Sequence, residues 1–200
     1  MIMKKILCFG DSNVYGFNPL NGSRYDVSTR WSGILSKKLN IIEAGCNNRT
    51  AFSDNPAGIK ETGYKILPQY IEKYSPDIII IAVGINDLQT QYNNPLENFK
   101  TGLENLMNLC NKQKIILLAP SCIKECILNS FFSEMFDENS INKSQKLTPI
   151  YEYIATKYNC DLLDLNKIVS TSNLDGLHYD TQAHAIIAEN LKSIINSIIF

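Results

Sequence analysis

The segment Asp77-Ile78-Ile79-Ile80-Ile81-Ala82-Val83-Gly84-Ile85-Asn86-Asp87 holds four isoleucines in a row with no polar residue among them. A strand that faced water on one side would alternate, so a continuous run of β-branched residues predicts a strand buried on both faces, as in the middle of a parallel sheet. The run stops at Gly84 and hands the chain to Asn86 and Asp87, which leaves polar side chains at the strand's carboxyl end. On either side of this segment, further apolar strand patterns at residues 5–9, 41–44, 114–119 and 161–164 join 77–83 to make five. Helical spacing fills the intervals at 31–39, 58–74, 96–111 and 147–158, with Pro149 expected in a first helical turn. An amphipathic helix over 183–199 closes the chain. Strands alternating with helices predict an α/β protein with a parallel sheet covered on both faces.

Composition agrees with one ordinary globular domain: 200 residues, 44% hydrophobic and 20% charged. Nineteen basic residues stand against twenty acidic ones for a net charge of −1. No block of Lys or Arg forms a phosphate-tracking stripe, so nucleic acid is not an expected partner. The opening Met-Ile-Met-Lys-Lys leads into an apolar run too short for a signal peptide, and no stretch reaches the roughly 18 apolar residues of a membrane span. A cytoplasmic location is expected. Cys8, Cys46, Cys110, Cys122, Cys126 and Cys160 include no Cys-x-x-Cys pair, and only two histidines accompany them. Neither a zinc site nor a disulfide framework is expected, although Cys122 and Cys126 have the spacing to share a helix face. No metal and no cofactor are called for. No repeat or linker divides the chain. Residues 120–140 carry Phe131, Phe132, Met135 and Phe136 among polar neighbours without a clear period. They suit a pocket wall or lid, a plug for the core, or an oligomer contact; the apolar tail 194–200 is a second candidate interface for a homo-oligomer.

Three loops are expected at the same edge of the sheet. The first strand ends in Gly10-Asp11-Ser12-Asn13, the third in Gly84-Ile85-Asn86-Asp87, and Asp175-Gly176-Leu177-His178 precedes the last helix. Gly-Asp-Ser alone is an ordinary turn composition. Together the loops supply what acyl transfer needs. A serine hydroxyl becomes a nucleophile when a neutral imidazole takes its proton, and the imidazole needs a carboxylate on its other nitrogen to hold the right tautomer. The developing oxyanion needs preorganised donors: the Ser12 N–H, the Asn86 amide and a third from the loop Gly45-Cys46-Asn47-Asn48-Arg49-Thr50.

These blocks resemble the SGNH hydrolases, also called GDSL-type esterases and lipases, over nearly the whole chain. The Gly-Asp-Ser-x-x-x-Gly start, Arg30-Trp31, Asn48-Arg49-Thr50 and the Asp-Gly-x-His ending look most like the cytoplasmic arylesterase or acyltransferase branch. The resemblance implies Ser12 as nucleophile, His178 as general base, Asp175 as its orienter and Asn86 as an oxyanion donor. It departs at Asn13, where many members have Leu, and at the oxyanion glycine. Anchoring on Arg49-Thr50 puts that glycine at Asn48; another anchoring selects Gly45. Asn48 is preferred, because the donor is a backbone N–H and Asn tolerates the left-handed conformation.

The expected architecture is three-layer α/β/α with a five-stranded parallel sheet in the flavodoxin-like order 2-1-3-4-5. The expected activity is cleavage of small carboxylic esters, acetyl or aryl esters among them, through an acyl-enzyme. Tyr15, Phe17, Tyr25, Trp31, Phe52 and Ile123 are candidate pocket residues. Asp11 and Asp87 read as loop supports, and His184 as structural or exposed. Two rivals are a metal-assisted phosphoesterase using Asp11, Asn86, Asp87 and His178, and a binding protein without turnover on the same fold.

Overall fold

The computed structural model describes residues 3–110 and 112–199. Its centre is β3 (Ile78–Ala82), with β1 (Lys5–Gly10) on one side and β4 (Lys114–Ala119) on the other. β2 (Asn40–Gly45) lies outside β1 and β5 (Asp161–Asp164) outside β4, so the sheet is parallel throughout in the order 2-1-3-4-5. Successive isoleucines of β3 serve opposite faces. Ile79 and Ile81 join Leu7, Phe9 and Leu117 in one core, whereas Ile78 and Ile80 join Ile6, Cys8 and Ile116 in the other. Both faces are covered, which is why the run does not alternate.

The first core is closed by α3 (Gly63–Tyr74), α4 (Leu96–Met107) and α6 (Thr148–Lys157), through Leu67, Phe99, Leu103 and Ile154. The second is closed by α2 (Trp31–Ser36) and α7 (Thr181–Ile199), through Trp31, Leu35, Ile187 and Leu191. The result is the three-layer α/β/α arrangement. Strand order reverses between β1 and β3, and the crevice outside their carboxyl ends is where α/β sheets bind ligands.

Element boundaries moved for local reasons. The third strand begins at Ile78; the Asp77 backbone still bonds Lys5 and Lys114 of the flanking strands, and its carboxylate accepts from Lys4 Nζ at 3.0 Å and the Lys5 N–H at 2.8 Å. It ends at Ala82, because the Val83 carbonyl accepts instead from the Tyr151 hydroxyl at 2.6 Å. The helix expected from residue 58 begins only at Gly63: Gly58 has φ 133°, and Thr62 Oγ1 donates to its carbonyl at 2.9 Å, holding 58–62 as a loop. The helix expected over 31–39 ends at Ser36. α4 gives way to a 3₁₀ turn at Asn108–Cys110, and the expected end at residue 111 lies outside the described residues. The last helix starts two residues early at Thr181, its first turn capped by Asp180, which accepts from the Ala183 N–H at 2.8 Å. Pro149 lies in the first turn of α6.

Cys122 and Cys126 share no helix. Cys122 precedes a 3₁₀ turn over Glu125–Asn129 that contains Cys126, and all six cysteines are free. Beyond this turn, α5 (Glu138–Ser144) is opened by an Asp137/Ser140 capping box. Among the described residues, no helix is long and apolar enough to cross a membrane, and no three His, Cys, Asp or Glu side chains cluster as metal ligands.

Candidate active site

Ser12 opens α1 (Ser12–Tyr15), a single turn set directly on the end of β1. Asp11 caps the turn by accepting from the Asn13 N–H at 2.9 Å, and Gly16 closes it at φ 85°. Burial pushes the Asp11 carboxyl up to about 7, against the pull of the Asn13 N–H and the Arg49 charge. The turn is held from the side as well. Trp31 Nε1 donates to the Asn13 carbonyl at 3.0 Å, and Asn13 Nδ2 reaches the Leu177 carbonyl at 3.4 Å.

His178 Nε2 lies 2.8 Å from Ser12 Oγ, and His178 Nδ1 lies 2.6 Å from Asp175 Oδ2. The other carboxylate oxygen of Asp175 accepts from the Leu177 and His178 N–H groups, both at 3.0 Å. Burial acts to raise the Asp175 pKa, but the hydrogen bonds and charge of His178 outweigh it and hold the carboxyl below its ordinary value. All three side chains are buried. Gly176, at φ 73°, lets the turn close against the 3₁₀ segment: a Cβ there would come within 2.7 Å of the Lys124 carbonyl oxygen and 2.9 Å of Ile127 N.

Asn86 sits in a 3₁₀ turn (Ile85–Leu88) just beyond β3. Its amide Nδ2 donates to the Arg49 carbonyl at 3.0 Å, which leaves a second N–H on that nitrogen. Asn48 has φ 62° and lines the same pocket as Ser12, Asn86 and His178. Neither the Ser12 nor the Asn48 N–H donates a hydrogen bond among the described residues. Gly45 is glycine for packing: it ends β2 in register with Gly10, and a Cβ would overlap the backbone of Val14 and Tyr15.

Two supports were not legible in the sequence. Gln89, fully buried, donates from Nε2 to Asn48 Oδ1 at 2.6 Å and to Asn86 Oδ1 at 3.1 Å, so one amide orients both asparagines. Arg49, also buried, donates to the carbonyls of Gly10 at 2.9 Å and Lys60 at 2.8 Å and also to that of Ala44, tying together the ends of β1 and β2. Asp87 does more than hold its own loop. It accepts from the Phe52 N–H at 3.1 Å, the Ser53 N–H at 2.8 Å, the Ser53 hydroxyl at 2.7 Å and the Ala51 N–H, fastening the 51–53 loop to the Asn86 turn. Burial pushes its pKa up while these donors oppose it.

The pocket over Ser12 measures about 250 Å³ and is walled by Phe17, Phe132, Met135, Phe136 and Leu177 besides the polar residues. Residues 120–140 thus supply part of its wall. Other expected pocket residues lie elsewhere. Phe52 packs edge-on against Phe99 at 5.0 Å, over Gly102. Tyr15 lies under the Arg24 guanidinium at 4.8 Å. Ile123 is buried in the core, Trp31 is buried beneath α7, and Tyr25 packs edge-on against His184 at 5.3 Å. His184 is structural: it is fully buried, Nδ1 accepts from the Trp31 N–H at 3.4 Å, and Nε2 has no partner among the described residues. Burial lowers its pKa to about 4.

The family model for GDSL-like lipases and acylhydrolases matches residues 6–191. No curated protein matches the sequence. Among solved structures, a carbohydrate acetylesterase family member from Sinorhizobium meliloti superposes with a TM-score of 0.90 at 26% identity, covering 98% of this chain and 99% of that one. The native aryl esterase of M. smegmatis superposes equally well, at 0.90, over 98% and 100% of the two chains. At 23% identity it speaks for the fold alone. So does a lipolytic G-D-S-L family member from Veillonella parvula DSM 2008, with a TM-score of 0.68 at 14% identity over 96% and 98% of the chains. The chain belongs to the GDSL-like lipase and acylhydrolase family of SGNH hydrolases, and its chemistry is that of a serine carboxylic ester hydrolase. The match lends no support to a metal-dependent phosphoesterase or a binding protein.

Proposed function

We propose that this protein cleaves small carboxylic esters through an acyl-enzyme on Ser12, with His178 as general base, Asp175 as its orienter, and the N–H groups of Ser12 and Asn48 with the Asn86 amide as oxyanion donors. One observation carries the assignment: the unbroken buried chain from Ser12 Oγ to His178 Nε2 at 2.8 Å and from His178 Nδ1 to Asp175 at 2.6 Å. With its Nδ1 proton toward Asp175, the imidazole presents a free Nε2 lone pair to the serine hydroxyl. Ser12 Oγ attacks the ester carbonyl carbon as its proton passes to Nε2. The carbonyl oxygen becomes the oxyanion, and donors already fixed in place stabilise it without reorganising. His178 then returns the proton to the bridging oxygen, the C–O bond breaks, and the alcohol leaves. Water, deprotonated by the same imidazole, releases the acid.

The 250 Å³ pocket favours a short acyl group such as acetyl. The printed activity of the Sinorhizobium meliloti relative, carbohydrate acetylesterase, supports the same acyl group. The reading treats the described residues as one catalytic domain with a small-molecule substrate and no nucleic acid. Six free cysteines fit the reducing cytoplasm.

A fluorophosphonate probe tests the nucleophile directly. We expect stoichiometric labelling of the wild type, read by intact mass, with the adduct mapped to Ser12, and no labelling of Ser12→Ala. Hydrolysis of 4-nitrophenyl acetate should survive EDTA. Labelling elsewhere, or wild-type turnover by Ser12→Ala, would overturn the assignment.

A further inference from the structure

Beside the pocket over Ser12 lies a second hollow of about 420 Å³, lined by Phe17, Leu20, Phe131, Phe132, Leu174 and Asp175 among others. Phe17 and Phe132 belong to both hollows, and their rings pack edge-on at 6.0 Å. Around the second one stand Phe131 at 90% exposure, Leu20 at 74% and Leu174 at 58%, three of the most exposed large apolar side chains in the molecule. An apolar group is costly to leave in water, and three converging on one hollow beside a reactive centre mark a binding surface.

Resting on the ester-hydrolase reading above, we infer that this second hollow binds the alcohol half of the ester, and that the alcohol is apolar, either an aryl ring or an alkyl chain longer than ethyl. The direction follows from the proton path. The oxyanion donors Asn48 and Asn86 line the pocket over Ser12 and not the second hollow, so the carbonyl and its acyl group belong on their side. The bridging oxygen must receive its proton from His178 Nε2, so the alcohol departs past the imidazole. Phe17 lies against that ring at 4.2 Å between centroids and Phe132 at 5.2 Å. A group attached to the departing oxygen therefore meets Phe17 and Phe132 first and the Leu20, Phe131 and Leu174 side chains beyond them. Among the described residues, Asp175 alone lines the hollow as an ionisable group, and its carboxylate is already engaged by the His178 ring, the Leu177 N–H and the His178 N–H. Asn21 and Ser130 also line it, but the Ser130 hydroxyl is engaged by the Ile127 carbonyl and the Phe132 N–H and Asn21 Oδ1 by Ser23, so the exposed Leu20, Phe131 and Leu174 side chains supply its unpartnered surface.

The test uses the double variant Leu20→Ser/Phe131→Ser, two exposed side chains outside the catalytic groups. With the acyl group held as acetyl, kcat/KM for hexyl acetate and 2-naphthyl acetate should fall about tenfold or more, as expected for losing apolar contacts in a pocket. Ethyl acetate should be unaffected, and fluorophosphonate labelling should proceed at the wild-type rate, which reports an intact fold and triad. Phe131→Leu should retain most of the wild-type preference. A second readout needs no turnover: 2-naphthol, followed by its fluorescence, should bind Ser12→Ala and bind at least tenfold more weakly when Leu20→Ser/Phe131→Ser is added. Loss of all esters in equal proportion, or an unchanged hexyl-to-ethyl ratio, would overturn the inference while leaving the esterase reading intact. A drop in sedimentation mass with that ratio unchanged would assign the surface to a second copy of the chain and overturn it too. Absence of both labelling and hydrolysis in the wild type would remove the catalytic reading and this inference with it.

Discussion

The two sides of the pocket over Ser12 are built on opposite plans. On one side, Asn48, Asn86, Gln89, Arg49 and Asp87 are held in a dense polar network. On the other, Phe17, Phe131, Phe132 and Leu174 meet through apolar contact, with Phe131 and Leu174 open to solvent. On the function proposed above, the polar side holds donors where charge develops, and a donor displaced by an ångström loses most of its worth; Asn48 and Asn86 are each held by two further hydrogen bonds. The apolar side recognises shape and area, which tolerate movement and substitution. Chemistry and selectivity should therefore respond to different mutations.

Breaking the polar side should cost most. Ser12→Ala should remove turnover, and Asp175→Asn should lower kcat by about 10⁴-fold, because a neutral amide no longer fixes the imidazole tautomer; pre-steady-state acylation rates would measure both. Asn86→Ala should lower kcat by about a hundred- to a thousandfold with KM little changed. Gln89→Leu touches no substrate yet releases both asparagines, and we expect a loss of about ten- to a hundredfold, confined to kcat. A matching rise in KM would place Gln89 in substrate binding instead. Substitutions of Leu20 and Phe131 should change selectivity among acetates and leave acylation by a small ester alone.

A smaller effect separates the two histidines. His178 has a partner on each ring nitrogen, whereas His184 is buried, its Nε2 has no partner among the described residues, and burial lowers its pKa to about 4. Between pH 6.5 and 4 the unfolded chain binds a proton at residue 184 that the folded protein refuses, so stability is retained above about 6.5 and lost as pH falls toward 4. The shift corresponds to about 3 kcal/mol. Urea midpoints at pH 7 and 4.5 should differ by less in His184→Gln than in the wild type. An unchanged difference would trace the acid limb to other groups.

How much of this was legible beforehand depended on whether a signal was local. The run Ile78 to Ile81 announces a doubly covered strand because burial on both faces leaves a mark in every position. That Ser12, Asn86, Asp175 and His178 meet at one edge of the sheet could be read because each lies where a strand or turn ends. The left-handed backbone at Asn48 was foreseeable from its tolerance of positive φ. Gln89 was not, because a buried glutamine two residues beyond Asp87 looks like any polar turn residue until two loops from distant parts of the chain converge on it. The aromatics were equally mute. Phe17 and Phe52 both lie near the carboxyl edge, yet Phe17 covers His178 while Phe52 turns away onto Phe99 and Gly102.

The order of strands and helices, the buried centre of the sheet and the loops that bear the reactive groups follow from periodicity and residue type, since these record burial and turn geometry along the chain itself. Which amide orients Asn48 and Asn86, which aromatics face the serine, and where an open apolar hollow forms beside it depend on loops separated by many tens of residues. Those contacts come into existence when the sheet brings its carboxyl ends together, and no single stretch of the chain carries their imprint.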